Sequence, residues 1–282
     1  MYTDPETIVY DPTDPIGCSA DIYTPTTTEP RDLVIFIHGG AWRTGDKSDH
    51  SDLPALLAKH TTRLPTIVIP NYRLSAHPEH PTRAAAVHPT HITDVACCVQ
   101  YLVQQWTGWT ETRNVVMVGH SCGAHVLSHI TFRLPTLPDE PDVLSLRTSI
   151  SQIMHKTTSL AFLDGIYSLR TLIGEYPGYR FFVDAAFGGD ADAMWDARDV
   201  FIPSEEPTRD VPEELRRVRK VVVAHATEDE LLTPVQGQLW VEYLRKVGLR
   251  GVVEWDETTL RGTHDGCLHD DGLGKLLYKL LE

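Results

Sequence analysis

The tightest constraint on how this 282-residue chain can fold is residues 115–125, Val-Val-Met-Val-Gly-His-Ser-Cys-Gly-Ala-His. Four apolar, mostly β-branched residues make a short buried strand. A helical pattern begins directly after Gly119-His120-Ser121-Cys122-Gly123. Strand, sharp turn and helix in that order are the context in which a G-x-S-x-G turn presents its serine as a nucleophile. The turn holds the serine in strained backbone geometry. Neighbouring elements crowd the flanking positions, where glycine removes the Cβ clash. Ser121 Oγ would then project from the turn. The Cys122 amide would sit at a helix N-terminus, aimed at a developing negative charge.

The remaining chain supplies a setting for such a turn. Short strands are expected near residues 8–10 and 21–23, joined by proline-rich turns, with a surface loop over 25–30. The apolar run Leu-Val-Ile-Phe-Ile at 33–37 and the run at 66–69 are strands covered on both faces, with a helix over 52–60 between them. Residues 91–106 place Ile92, Val95, Ala96, Val99, Leu102 and Val103 at helical spacing, and 124–134 continues the helix behind Ser121. A break at 135–141 follows. Further strands are expected at 159–163, 221–224 and 252–255, with helices at 234–247 and 273–281. Residues 168–210 lack strand periodicity and mix aromatic, glycine and acidic residues, which reads as a cap or insertion of short helices over the pocket. Alternating strands and helices predict one doubly wound α/β domain with a largely parallel sheet.

Composition narrows the partners. A net charge of −14 disfavours nucleic acid and anionic membrane. No window reaches the roughly 18 uninterrupted apolar residues of a membrane span. The N-terminal residues lack the basic and apolar regions of a signal peptide, so a cytoplasmic protein is expected. Five cysteines without metal-type spacing read as reduced thiols, with Cys97 and Cys98 packing a helix face.

A serine hydroxyl needs a base to become nucleophilic at neutral pH. In folds built on such a turn the order along the chain is serine, carboxylate, histidine. After the 221–224 strand come three adjacent carboxylates, Glu228, Asp229 and Glu230. Asp229 is the choice by analogy with the fold. It lies in the short strand-to-helix loop, with Thr233-Pro234 opening the helix behind it. His264 lies in the loop after the last strand, where the general base belongs; His269, nearer the terminal helix, is its competitor. Neutral imidazole would take the Ser121 proton while Asp229 fixes its tautomer and stabilises the imidazolium. His38-Gly39-Gly40-Ala41-Trp42 follows an early strand, so that amides of Gly39, Gly40 and Ala41, with that of Cys122, would form an oxyanion hole. His125 and His129, four apart on a helix, read as packing rather than metal ligands, and no phosphate loop or dinucleotide fingerprint is present.

Together, the His38–Trp42 loop, residues 119–125, Asp164-Gly165-Ile166-Tyr167, the Asp229 loop and His264 resemble the kynurenine formamidase (arylformamidase) branch of the α/β-hydrolases, near the hormone-sensitive-lipase-like esterases. The resemblance spans about residues 18–270. Ala41 stands where the lipase pattern has a third glycine. The resemblance implies an α/β-hydrolase fold and hydrolysis of N-formyl-L-kynurenine to L-kynurenine and formate. It implies Ser121, Asp229 and His264 as triad and no metal or organic cofactor. The substrate ring needs an apolar slot, for which Trp42 and Tyr167 are the foremost candidates, with Phe181 and Phe182 behind them. Competing readings are a carboxylesterase acting on short acyl esters and a catalytically inactive hydrolase fold used as a binding module. The intact serine, carboxylate, histidine order argues against the latter. A small molecule is the expected partner, and a homodimer is one state the sequence allows.

Overall fold

The computed structural model describes residues 1–27, 31–79, 85–133, 141–188 and 213–282. Its centre is an eight-stranded sheet formed by β1 (Glu6–Val9), β2 (Ser19–Tyr23), β3 (Leu33–Ile37), β4 (Thr66–Pro70), β5 (Val115–His120), β6 (Thr157–Leu163), β7 (Lys220–Ala224) and β8 (Val253–Asp256), in the order β1-β2-β4-β3-β5-β6-β7-β8. β2 pairs antiparallel with β1 and with β4; from β4 through β8 every pairing is parallel. Helices cover both faces: α1 (Leu53–Ala58), α2 (Thr90–Gln104), α3 (Cys122–Ser128), α4 (Pro141–Lys156), α7 (Val235–Leu244) and α8 (Asp271–Leu281), with α5 (Leu169–Glu175) and α6 (Arg180–Phe187) following β6.

The central strands, from β3 through the buried stretches of β5, β6 and β7, are largely apolar because alternate side chains enter two different cores. Leu33, Ile35, Ile37, Met117, Leu160, Phe162, Val221 and Val223 pack under Val95, Val99, Ile150, Ile153, Trp240 and Leu244 of α2, α4 and α7. Their neighbours Val34, Phe36, Val116, Val118, Ala161, Leu163 and Val222 face Leu53 and Leu57 of α1 and Leu273, Leu276, Leu277 and Leu280 of α8. Each fully buried aliphatic side chain contributes about 1.5–3 kcal/mol relative to exposure. A third cluster, built on Trp42, Cys122, Ile166, Leu169, Leu172, Phe182, Val183 and Phe187, lies beside the C-terminal ends of the strands.

The fold is the expected one, with local differences. α4 was not anticipated, although its buried Leu146, Ile150, Ile153 and Met154 recur at helical spacing. Four serine and threonine hydroxyls among its sixteen residues mask that stripe. The helix behind Ser121 is α-helical to Ser128 and then widens into a π turn over residues 129–133. α7 likewise ends at Leu244 and passes into a π turn in which Gly248 adopts φ 101°. The break read at 135–141 falls outside the described residues except for Pro141, which opens α4. Of the insertion read at 168–210, α5 and α6 are seen; positions 189–212 lie outside the described residues.

Parallel strands deliver their following loops to one edge of the sheet. The loops after β3, β5, β6, β7 and β8 carry His38–Trp42, Ser121, Asp164, Asp229 and His264 respectively.

Candidate active site

Ser121 occupies the turn between β5 and α3 with φ 53° and ψ −122°. A non-glycine residue in such a conformation costs about 1–3 kcal/mol and persists only where surrounding contacts enforce it. Here the Ser121 N–H donates to Leu163 O at 2.8 Å and its carbonyl accepts from Ala124 N at 3.1 Å. The glycine after it is a matter of space: a Cβ on Gly123 would lie 2.3 Å from Ile37 O and 2.4 Å from His38 O. That contact lets α3 start against the end of β3, so that the Ser121 turn and the His38–Trp42 loop share one wall.

His264 is 3% exposed. Its Nδ1–H donates to Asp229 Oδ2 at 2.8 Å, which leaves Nε2 as the basic nitrogen of the neutral ring. Asp229 Oδ1 accepts from the amides of Leu231 at 2.8 Å and Leu232 at 2.9 Å, fixing the carboxylate from its other side. Burial acts to raise the Asp229 carboxyl, but its hydrogen bond with His264 and that group's charge, with the two amides, hold it below the usual carboxylate value. Burial likewise acts to depress His264. The hydrogen bond and charge of Asp229, with Asp164 and Asp265 adding to them, outweigh it and raise the imidazole above the ordinary histidine value.

The His264 backbone is held as firmly as its ring. Its N–H donates to Glu230 Oε2 at 3.0 Å, and its carbonyl accepts from His120 Nε2 at 3.1 Å and from the Cys267 thiol at 3.2 Å. Burial, and next the imidazole of His264, push His120 well below the ordinary histidine value, so its donor is a neutral ring. Glu230 stands in the sequence only as one of three adjacent carboxylates, and His120 and Cys267 carry no expected role. Their bonds run to the backbone of His264, a residue 34 positions away from Glu230 and 144 from His120, and no local pattern announces them. Asp164 was also passed over, although a carboxylate directly after a buried strand was a usable signal. His269 is on the surface, its Nδ1 2.9 Å from Asp52 Oδ2.

The His38–Trp42 loop bends through positive φ at Gly40 (104°), Ala41 (50°) and Trp42 (59°). Tyr72 Oη donates to the carbonyls of His38 at 3.0 Å and Gly39 at 3.2 Å, and Trp42 N–H donates to Cys122 Sγ at 3.1 Å. Gly40 and Ala41 line a pocket of about 260 Å³ together with Ser121, His264, Ile166, Phe182, Leu231 and Leu232, with Arg43, Tyr179 and Asp265 completing its wall. Gly39 faces a neighbouring cleft with His38 and His120 instead, and Cys122 is buried at the start of α3.

Two expected substrate contacts need correction. Tyr167 is fully buried and stacks on Trp240 with ring centroids 4.9 Å apart, inside the core under α7. Trp42 is 1% exposed and packs edge-on against Phe187 at 5.0 Å and His125 at 5.3 Å. Neither lines the pocket. Adjacency in sequence to a motif does not fix where a side chain points; the positive φ at Trp42 turns its ring toward α3 and α6. Phe182 reaches the pocket, while Phe181 is 56% exposed beneath the guanidinium of Arg43. His125 and His129 pack against each other within the helix packing, their rings tilted by 44° with centroids 4.4 Å apart. Among the described residues, the side-chain groups close enough to hold a metal ion all draw on this same site, namely His120, Asp164, Asp229, His264, Asp265 and Cys267.

Serine, imidazole and carboxylate converging on one apolar pocket at the strand ends define an α/β-hydrolase. Solved structures with this architecture include a Lactobacillus rhamnosis esterase B (17% identity, TM-score 0.67, 99% of this chain and 87% of the other) and a Thermogutta terrifontis esterase with butyrate bound (16%, 0.66, 99% and 93%). The BD-FAE family model matches residues 20–133. A kynurenine formamidase from Meyerozyma guilliermondii is 35% identical over 75% of this chain and 71% of its own. One from Saccharomyces cerevisiae is 28% identical over 88% of each chain. A kynurenine formamidase-like hydrolase of Fusarium equiseti is 28% identical over 77% of this chain and 73% of its own. The chain belongs to the kynurenine formamidase family and is a hydrolase.

Proposed function

We propose that the chain hydrolyses the formamide of N-formyl-L-kynurenine, releasing formate and L-kynurenine, with Ser121 as nucleophile, His264 as general base and acid, and Asp229 as the orienting carboxylate. The observation that carries this is the 2.8 Å contact of His264 Nδ1 with Asp229 in a pocket that Ser121 and His264 both line. Neutral His264 takes the Ser121 proton as Oγ adds to the formyl carbon, and returns it to the arylamine nitrogen as the C–N bond breaks. A water, deprotonated by the same imidazole, then cleaves the formyl ester. Amides of the Gly40–Ala41 turn and of Cys122 stabilise the oxyanion at each addition.

The walls suit that substrate class. Ile166, Phe182, Leu231 and Leu232 accept an aromatic ring. Arg43 and Asp265 give one positive and one negative group for a carboxylate and an ammonium, the two ends of an amino-acid head. α6 brings Phe182 to the pocket and the 3-10 turn before it, Pro177–Tyr179, brings Tyr179; with α5 they act as its cap. The deciding comparison is kcat/KM for N-formyl-L-kynurenine against its N-acetyl analogue, with Ser121→Ala as blank. A ratio on the order of 10² is expected, because one added methyl beside the oxyanion turn overpacks the site by about 1–3 kcal/mol. A ratio near one, with ready turnover of acetyl and butyryl esters, would leave the carboxylesterase reading.

A further inference from the structure

Asp164 follows β6 directly, as Asp229 lies beyond β7. It is 1% exposed and takes φ 44°, an uncommon conformation for a residue with a Cβ. Its Oδ1 accepts from Ala226 N at 2.7 Å and lies 3.1 Å from His225 Nδ1; its Oδ2 lies 3.5 Å from Cys267 Sγ, whose single proton is shared with the closer His264 carbonyl at 3.2 Å. One carboxylate oxygen of Asp164, one of Asp229 and one ring nitrogen of His264 all lie within 4.8 Å of each other. His264 therefore has a carboxylate from each of two adjacent strand ends beside it.

A buried carboxylate next to a second one costs free energy, through desolvation and like-charge repulsion, unless a cation shares them. Burial does raise the Asp164 carboxyl, against the opposing hydrogen bonds of His225 and Ala226. His225 Nδ1 sits beside both carboxylates, 3.1 Å from Asp164 Oδ1 and 4.0 Å from Asp229 Oδ2, and the imidazolium formed at His264 each time Ser121 gives up its proton is a second group that can share their charge. Oδ2 of Asp164 has a thiol as its hydrogen-bond donor, and a thiol is a weak one, so this oxygen keeps accepting capacity on the side of Cys267.

We propose that Asp164 is a second acid of the site: a positioning residue that stabilises the His264 imidazolium alongside Asp229 and holds the imidazole when Asp229 is removed. This rests on the roles proposed above for Ser121, His264 and Asp229. The charged and titratable groups facing His264 are Asp229 and Glu230 from the loop after β7, Asp164 and through it His225, Asp265 and Cys267 from its own loop, and His120 from β5. Of these, Asp164 is the buried carboxylate whose removal leaves the bonds to His264 itself intact.

The test compares Asp164→Asn, Asp229→Ala and the double variant by pH profiles of kcat/KM. Asparagine keeps an acceptor for Ala226 N while deleting the charge. In Asp164→Asn the acid limb is expected to move to lower pH by about one unit, since a negative neighbour within a few ångströms favours the protonated ring. Asp229→Ala is expected to lose about 10²-fold in kcat, where loss of a sole triad acid costs about 10⁴-fold. The double variant should fall to that lower level, a loss well beyond the product of the single losses. An unmoved acid limb in Asp164→Asn, a loss of about 10⁴-fold from Asp229→Ala alone, or simple multiplicativity would each overturn the proposal. The Asp229→Ala arm decides even where Asp164→Asn fails to fold. Substantial activity in Ser121→Ala or His264→Ala would instead overturn the underlying triad, whatever Asp164 does.

Discussion

Ser121 sits in a conformation that costs energy and contributes nothing to the core, so its replacement should leave the fold intact while removing turnover. Ser121→Ala is expected to lower kcat by about 10⁴-fold or more. His264→Ala should fall as far, and the double variant no further, because nucleophile and base act as one unit. His269→Ala, altering an exposed pair with Asp52, should stay near wild type. The reverse ranking of the two histidines in kcat would move the base to His269. The pH dependence follows from the same contact. In the proposed mechanism neutral imidazole is the active form, so kcat/KM is expected to rise as His264 loses its proton. Asp229, opposing burial, raises that imidazole, which places the acid limb above the usual histidine value of about 6.5. A limb clearly below that value would contradict the Asp229–His264 pairing.

Among the elements, the junction of β3 with α3 matters most. Backbone oxygens of Ile37 and His38 occupy the space a side chain at residue 123 would need. Gly123→Ala forces the helix away from the strand, an overpacking of about 1–3 kcal/mol. Calorimetry should show this as a lower Tm, at about 2–4 °C per kcal/mol for a large domain. The shift also moves the Ser121 turn relative to Gly40 and Ala41, so kcat should drop more than KM rises. A variant with unchanged Tm and unchanged kcat would show that the strand and helix have room to spare.

Over the whole molecule, the sheet edge gathers loops from five strands, and the pocket is lined by residues of all five together with Phe182 of α6. Arg43 comes from the loop that also carries Gly40 and Ala41, and its guanidinium lies 4.6 Å from the centroid of the Phe181 ring. If it receives the substrate carboxylate, Arg43→Gln should raise KM for N-formyl-L-kynurenine about tenfold, the loss of one charge-assisted hydrogen bond. Formanilide, which has no carboxylate, should be cleaved as by wild type. An equal effect on both substrates would mean that Arg43 supports the oxyanion loop rather than reading the amino-acid head.

By itself the sequence determined what is local and periodic. Residues 33–37 and 115–118 are apolar on both alternations, because a strand with helices on both faces has no polar side to show. The turn at Ser121 was legible because its glycines answer a steric demand within a few residues, and the order of serine, carboxylate and histidine because each follows its own strand. α4 escaped notice since its buried stripe is interrupted by hydroxyls. The tertiary structure alone decided which way side chains face and which distant residues meet. It sent Trp42 and Tyr167 into the core, brought Phe182 to the pocket and set Glu230, His120 and Cys267 on the backbone of His264. It also placed Asp164 beside the pair formed by Asp229 and His264. Such contacts join residues on different loops, as far apart as His120 and His264, 144 positions from each other, and what creates them is the packing of parallel strands that ends all these loops on one edge, which no single stretch of the chain encodes.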